Sequence, residues 1–163
     1  ANTALDAGRY SIAWAGVGLA QAALEEMVNY ARSRKQFGQK IYKFQLIKGM
    51  IGDAVSDVAA ARALCIRAGE MRSENNDDAI AETLKAKHFS SKVAMSVAKD
   101  ALQVHGGNGC CSEYPIERLF REAKILEIIE GTTQIQQELL ANYGLRKFFR
   151  TKKSRQLEKV KNI

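Results

Sequence analysis

The chain has 163 residues, 46% of them hydrophobic, which suits one domain with a real core and leaves little room for a second. Its net charge of +7 belongs to one end: from Leu145 onward there are eight Lys or Arg and one acid, so residues 1–144, with seventeen of each sign, sum to zero. A single proline, abundant alanine and no long alternating run of β-branched or aromatic residues leave strands almost without support, and no apolar run approaches the ~20 residues of a membrane span.

Helical periodicity then organises the chain. A first helix is predicted over about Ala4 to Ser33, with Ala13, Val17, Ala20, Leu24, Met27, Val28 and Ala31 on one face. The segment Arg32 to Tyr42, with Gly38 inside it, reads as a connector to a second long helix carrying Ile47, Met50, Ile51, Ala54, Val58, Ala61 and Cys65. Small residues along these faces permit close packing. The polar run Arg72 to Asp78 marks the next turn, and a third helix is predicted from about Ala79 to His105, ended by Gly106-Gly107-Asn108-Gly109. Ser112 reads as the cap of a short helix with Pro115 near its first turn, and a last helix begins near Thr132 and loses definition around Gly144.

The fold class expected is therefore all-α, an up-down helical bundle with a short additional helix, occupying residues 1–144. Residues 145–163 form a basic C-terminal extension in which Arg146, Lys147, Arg150, Lys152, Lys153, Arg155, Lys159 and Lys161 are punctuated by Phe148, Phe149, Leu157 and Val160. That pattern suits either a solvated tail or a basic amphipathic helix. The three cysteines, with Cys110 and Cys111 adjacent, give neither a disulfide framework nor a zinc spacing, and only two histidines could add ligands. Reduced, structural cysteines and no metal site are expected. The first residues lack the charged-then-apolar layout of a secretion signal, which points to a soluble intracellular protein. No initiator methionine precedes the first helix-forming residues, which suggests a piece of something longer.

One short stretch suggests chemistry. Ile129-Glu130-Gly131-Thr132 places a single carboxylate at a glycine hinge, where the chain can turn without a Cβ clash and Thr132 or Thr133 can cap the helix that follows. Glu130 is thereby presented as a base or is an ordinary loop glutamate. Asp6 and Arg9, three apart at a helix start, suit a surface ion pair, and Arg34 a surface arginine.

Several separated motifs extend this reading. They are Leu5-Asp6-Ala7-Gly8-Arg9, then Tyr30-Ala31-Arg32-Ser33-Arg34-Lys35-Gln36-Phe37-Gly38 and Phe44-Gln45. Further along come Gln103-Val104-His105-Gly106-Gly107-Asn108-Gly109, Glu113-Tyr114-Pro115-Ile116-Glu117-Arg118 and Glu130-Gly131-Thr132-Thr133-Gln134-Ile135-Gln136. In this order they resemble the C-terminal helical domain of the acyl-CoA dehydrogenases, an FAD flavoprotein family, over nearly everything up to Leu145.

The resemblance implies desaturation of an acyl thioester between its α and β carbons, with Glu130 as catalytic base and a flavin receiving hydride on the opposite face of the substrate. A branch of the family takes its base from the position matching Gly8, and glycine cannot abstract a proton. Asp6, Ala7, Gly8, Arg9 and Gly131 would then hold the thioester. A solvated carboxylate is a weak base for a carbon acid, so the site must exclude water and polarise the thioester carbonyl. The dipole of the helix beyond Thr132 works against that.

Flavin contacts carried over fall in two sets. Arg34, Gln45 and Gln103, Val104, His105, Gly106 and Gly107 match positions that reach the FAD of a neighbouring subunit, with Phe37 packing near the same nucleotide. Thr132, Thr133 and Gln134 match the stretch after the base. The resemblance thus implies a homodimer or homotetramer, with an electron-transfer flavoprotein as a redox partner, in the cytoplasm or a mitochondrial matrix. Ile129 stands where an aromatic often precedes the base, Glu122 where aspartate usually follows Arg121, and the basic tail is extra. The family's N-terminal helical and middle β domains are not present, so this chain alone should not be a competent enzyme. The tail also admits a DNA-binding role or the docking of an acidic acyl carrier protein, with a thioester tethered to it.

Overall fold

Alanine and glycine decide how closely the helices approach. In the computed structural model, which describes the backbone of residues 2–149 and the side chains of residues 5–149, the bundle is built from α1 (Asn2–Ser33), α2 (Gln45–Ser73), α3 (Ala79–His105), α4 (Pro115–Leu126) and α5 (Thr133–Phe148). α1, α2 and α3 run up and down, α4 packs on α3 and α1, and α5 on α3. Ala13, Ala20, Met27 and Ala31 of α1 are buried against Ala94, Ala98 and Ala101 of α3 and Ala61 and Ala68 of α2, all in one apolar core. A Cβ at Gly16 would lie 2.9 Å from Ser90 Oγ and 3.0 Å from the Ser90 backbone, so α1 and α3 meet there almost backbone to backbone. The all-α bundle read from the sequence is the observed fold.

Local departures have local causes. A two-stranded ribbon, β1 (Lys35–Gln36) and β2 (Gln39–Lys40), interrupts the connector after α1. Phe37 and Gly38 turn it with φ of 51° and 76°, the two left-handed residues of a tight hairpin loop. α4 has Pro115 in its first turn as expected, but its N-cap is Tyr114 and bears no side-chain cap, so Ser112 does not cap it. The last helix does not fray at Gly144. It runs to Phe148, where Lys147 reaches back to Asp78 at the start of α3 and donates to Tyr143 Oη at 2.6 Å. The rest of the basic tail, and with it the amphipathic helix it could form, lies outside the described residues. Cys65 is buried in the core whereas Cys110 and Cys111 are exposed, so the structural reading of the cysteines holds for Cys65 alone. Among the described residues no helix is long and apolar enough to cross a membrane.

Filling the α1–α3 contact should be costly and filling an open glycine should not. Gly16→Val is expected to destabilise the chain by about 1–3 kcal/mol through overpacking. Gly49→Ala, at a helical position with nothing near its Cβ site, should stabilise it by about 0.5–1 kcal/mol. Urea denaturation followed by circular dichroism measures both.

Candidate active site

The turn between α4 and α5 is closed before it reaches Glu130. Ile128 and Ile129 donate their N–H groups to Ile125 O at 2.9 and 3.0 Å, and the Thr133 N–H reaches Glu127 O at 2.9 Å. Thr132 Oγ1 accepts from the Ile135 N–H at 3.4 Å and caps α5, as the sequence suggested. Glu130 sits at the apex with φ of 53°, followed by Gly131 at 97°. A left-handed glutamate costs about 1–2 kcal/mol, so the surroundings must hold it.

They do so through two successive carbonyls. Glu130 O accepts from Arg9 Nε at 3.4 Å and Gln136 Nε2 at 3.3 Å, and Gly131 O accepts from Lys87 Nζ at 2.6 Å and Gln136 Nε2 at 3.5 Å. Lys87 and Gln136 are both 0% exposed. Any side chain at Gly131 would collide with Gln136, since a Cβ would lie 2.8 Å from its Nε2. The Glu130 carboxylate itself lies over the bare backbone of Gly8, where a Cβ would come within 2.5 Å of Oε2. Burial pushes the Lys87 ammonium below its usual range, reinforced by the Arg9 charge and opposed by Glu127 and Glu130.

Asp6 and Arg9 do not pair with each other. Asp6 binds Arg72 from the end of α2, and Arg9 is spent on the Glu130 carbonyl. Both still line one cavity of about 420 Å³ between α1, α3 and α5, with Leu84, Leu139 and Tyr143. Ala7 is exposed, and Glu122, an unusual residue by the resemblance, pairs with Arg118 at 3.6 Å. Sequence reasoning missed Lys87 as a site residue and saw Gln136 only inside a motif. The available signal was a lysine four residues from Thr83 and from Ser91, on the buried face of α3.

A second cavity, of about 360 Å³, lies at the far ends of α1 and α3, lined by Tyr30, Arg34, Phe37, Val104, His105, Gly106, Gly107 and Asn108 among others. The His105 ring donates from Nδ1 to Ala101 O at 2.7 Å, stacks on Tyr30 at 4.1 Å and meets the edge of Tyr114 at 5.8 Å, so it forms a wall. Asn108 Nδ2 ties the Tyr30 and Tyr114 hydroxyls at 3.0 and 3.1 Å. Gly106, at φ 59° and ψ −139°, and Gly107 leave open space where a Cβ would stand. Phe37 projects from the hairpin 90% exposed. Gln45 and Gln103 are exposed nearby but do not line the cavity. A forked guanidinium, open glycine backbone and aromatic walls fit a phosphate-bearing aromatic ligand such as FAD.

The two sites are far apart. Gly8 and Tyr30 are separated by 22 residues of one helix, roughly 33 Å at 1.5 Å per residue. Thr132, Thr133 and Gln134 stand with Glu130 at one end, and the Arg34-to-Gly107 set stands at the other.

Residues 1–145 match the acyl-CoA dehydrogenase C-terminal domain. The chain belongs to the acyl-CoA dehydrogenase family. Probable acyl-CoA dehydrogenase YngJ of Bacillus subtilis is 42% identical over 142 residues, covering 87% of the chain and 37% of that protein. Subunit CarC of the caffeyl-CoA reductase–Etf complex of Acetobacterium woodii is 38% identical over 143 residues, covering 88% and 38%. The structure of butyryl-CoA dehydrogenase from Megasphaera elsdenii superposes with a TM-score of 0.84 at 38% identity, over 87% of the chain and 37% of that protein. The chain thus spans well under half the length of the relatives it matches. FAD is the cofactor of this acyl-CoA dehydrogenase family.

The thiols of this acyl-CoA dehydrogenase domain should separate by environment. Burial holds the Cys65 thiol up at about 11, while Cys110 and Cys111 sit exposed beside the glycine cavity. At pH 8 an aromatic disulfide reagent should titrate Cys110 and Cys111 rapidly and Cys65 only on unfolding.

Proposed function

We propose that this chain supplies the catalytic base and part of the flavin and subunit interface of an FAD-dependent acyl-CoA dehydrogenase that desaturates an acyl thioester between its α and β carbons. The observation that carries this reading is the Glu130 carboxylate held over Gly8 by a turn whose two carbonyls are clamped. A base for a carbon acid gains most from being fixed, because carbon offers no hydrogen bond to guide it. Glu130 takes the α-proton, and the electron pair of that C–H bond becomes the new double bond as hydride leaves the β carbon. Bound FAD would supply the hydride acceptor. Asp6 to Arg9 and Gly131 line the approach of the thioester, and Gly8 keeps the space into which the carboxylate and the α-carbon must both fit.

Arg34, Phe37 and the backbone at Val104 to Gly107 would hold an FAD, with Gln45 and Gln103 close by. One dinucleotide cannot touch both this cavity and Thr132 to Gln134. That supports a shared site between copies of the chain, in a homodimer or homotetramer. Val55 and Ile66, exposed on one flank of α2, offer apolar surface for such assembly. An electron-transfer flavoprotein as acceptor is supported by CarC, which is a subunit of a complex containing one.

Anaerobic mixing of the full-length flavoprotein with a panel of acyl-CoAs tests this. Wild type should bleach with at least one of them, and Glu130→Gln should bind it while reducing the flavin about 10²–10⁴-fold more slowly. Gly8→Ala, by displacing the carboxylate about 1 Å, should cost on the order of 10²-fold. A wild type that holds FAD and is reduced by none of the panel overturns the acyl-CoA reading.

A further inference from the structure

Lys87 is the one buried residue at the turn whose presence the bundle does not explain. Its side chain is fully enclosed on the core face of α3, among Thr83, Ser90 and Ser91, and among the described residues it makes no ion pair. Its sole described side-chain hydrogen bond is the 2.6 Å donation to the Gly131 carbonyl. Burying an ammonium against a neutral acceptor is unfavourable, and an apolar side chain of the same length would pack there without that penalty. The gain therefore lies in what the ammonium holds.

The Glu130 and Gly131 carbonyls mark the two peptide planes on either side of Gly131. Arg9 and Gln136 hold the first plane at 3.4 and 3.3 Å, whereas the second is held by Lys87 at 2.6 Å and only marginally by Gln136 at 3.5 Å. Gly131, at φ 97°, is the residue of this loop with the widest conformational freedom. We propose that Lys87 is a positioning residue for Glu130: by pinning the Gly131 carbonyl it fixes the left-handed turn that keeps the carboxylate over Gly8. α3 makes a suitable anchor, because the same stretch of it is locked against α1 at Gly16 and Ser90, and Ser91 Oγ donates to Lys87 O at 2.9 Å. The clamp and the base thus come from different elements, so the aim of the base depends on the packing of the bundle. The role as positioning residue for catalysis rests on the dehydrogenase reading of Glu130; the clamp on the turn does not.

The test is Lys87→Met in the full-length flavoprotein. The melting temperature should equal or exceed that of wild type. Amide hydrogen exchange over residues 127–134 should rise about tenfold or more with α2 unchanged, and flavin reduction by saturating acyl-CoA should slow about 10²-fold while its Kd moves less than about threefold. A variant that melts lower or loses its fold assigns Lys87 to bundle stability and overturns the proposal. Unchanged exchange in the 127–134 segment, or an unchanged reduction rate, overturns it as well. If wild type itself is not reduced, the dehydrogenase reading fails, and the exchange result still decides whether Lys87 holds the turn.

Discussion

Both candidate sites among the described residues are built against the pairing of α1 with α3. α1 carries Gly8 and Arg9 at one end and Tyr30 at the other, and α3 carries Lys87 in its first half and Val104 to His105 at its last turn. Both sites inherit their geometry from how closely these two helices pack. Gly16 against Ser90 and the alanines along both faces remove the side chains that would hold the helices apart. Small residues bury less apolar area each, so the interface relies on dense contact along its length.

The Glu130 turn shows how such a scaffold carries strain. A left-handed glutamate costs about 1–2 kcal/mol, so it persists only where its surroundings over-determine it. Two cationic donors and one buried amide converge on the Glu130 and Gly131 carbonyls. Their targets are the backbone carbonyls of the turn, so the carboxylate is fixed indirectly, through the chain that bears it. A salt bridge directly to Glu130 would compete with its proposed use as a base; clamping the carbonyls avoids that.

Much of this was legible in the sequence, and the failures have separate causes. The α3 boundaries and Thr132 as a cap follow from local signals: a glycine cluster, a helical period, a hydroxyl before a helix. The Glu130–Gly131 hinge before α5 was legible too, from a glycine directly after the acid and a hydroxyl beyond it. Asp6 was read against Arg9, its neighbour three residues on, but it binds Arg72, 66 residues away, and no local rule finds a partner at that range. The ribbon at Lys35 to Lys40 escaped because strands of two polar residues carry no alternation. Ser112 looked like a cap, yet Tyr114 occupies the position, with Pro115 already supplying the first helical φ. Lys87 escaped because a lysine between apolar positions reads as solvent-facing, and only the packing of α3 shows that it points inward.

The separation of the two sites constrains what any single copy can do. A rigid helix of more than thirty residues divides the carboxylate from the arginine–glycine cavity, and α1 bends at neither proline nor π-bulge to shorten the distance. A cofactor bound at one end is therefore beyond the reach of the other end of the same chain. If both ends serve the flavin, as the motifs on each imply, they serve different flavin molecules, and each complete site draws on two copies. Exposure of Phe37 at the hairpin tip fits this arrangement: a left-handed, solvent-facing phenylalanine is a poor investment for an isolated bundle and a sensible one for a surface that closes over a neighbour's nucleotide.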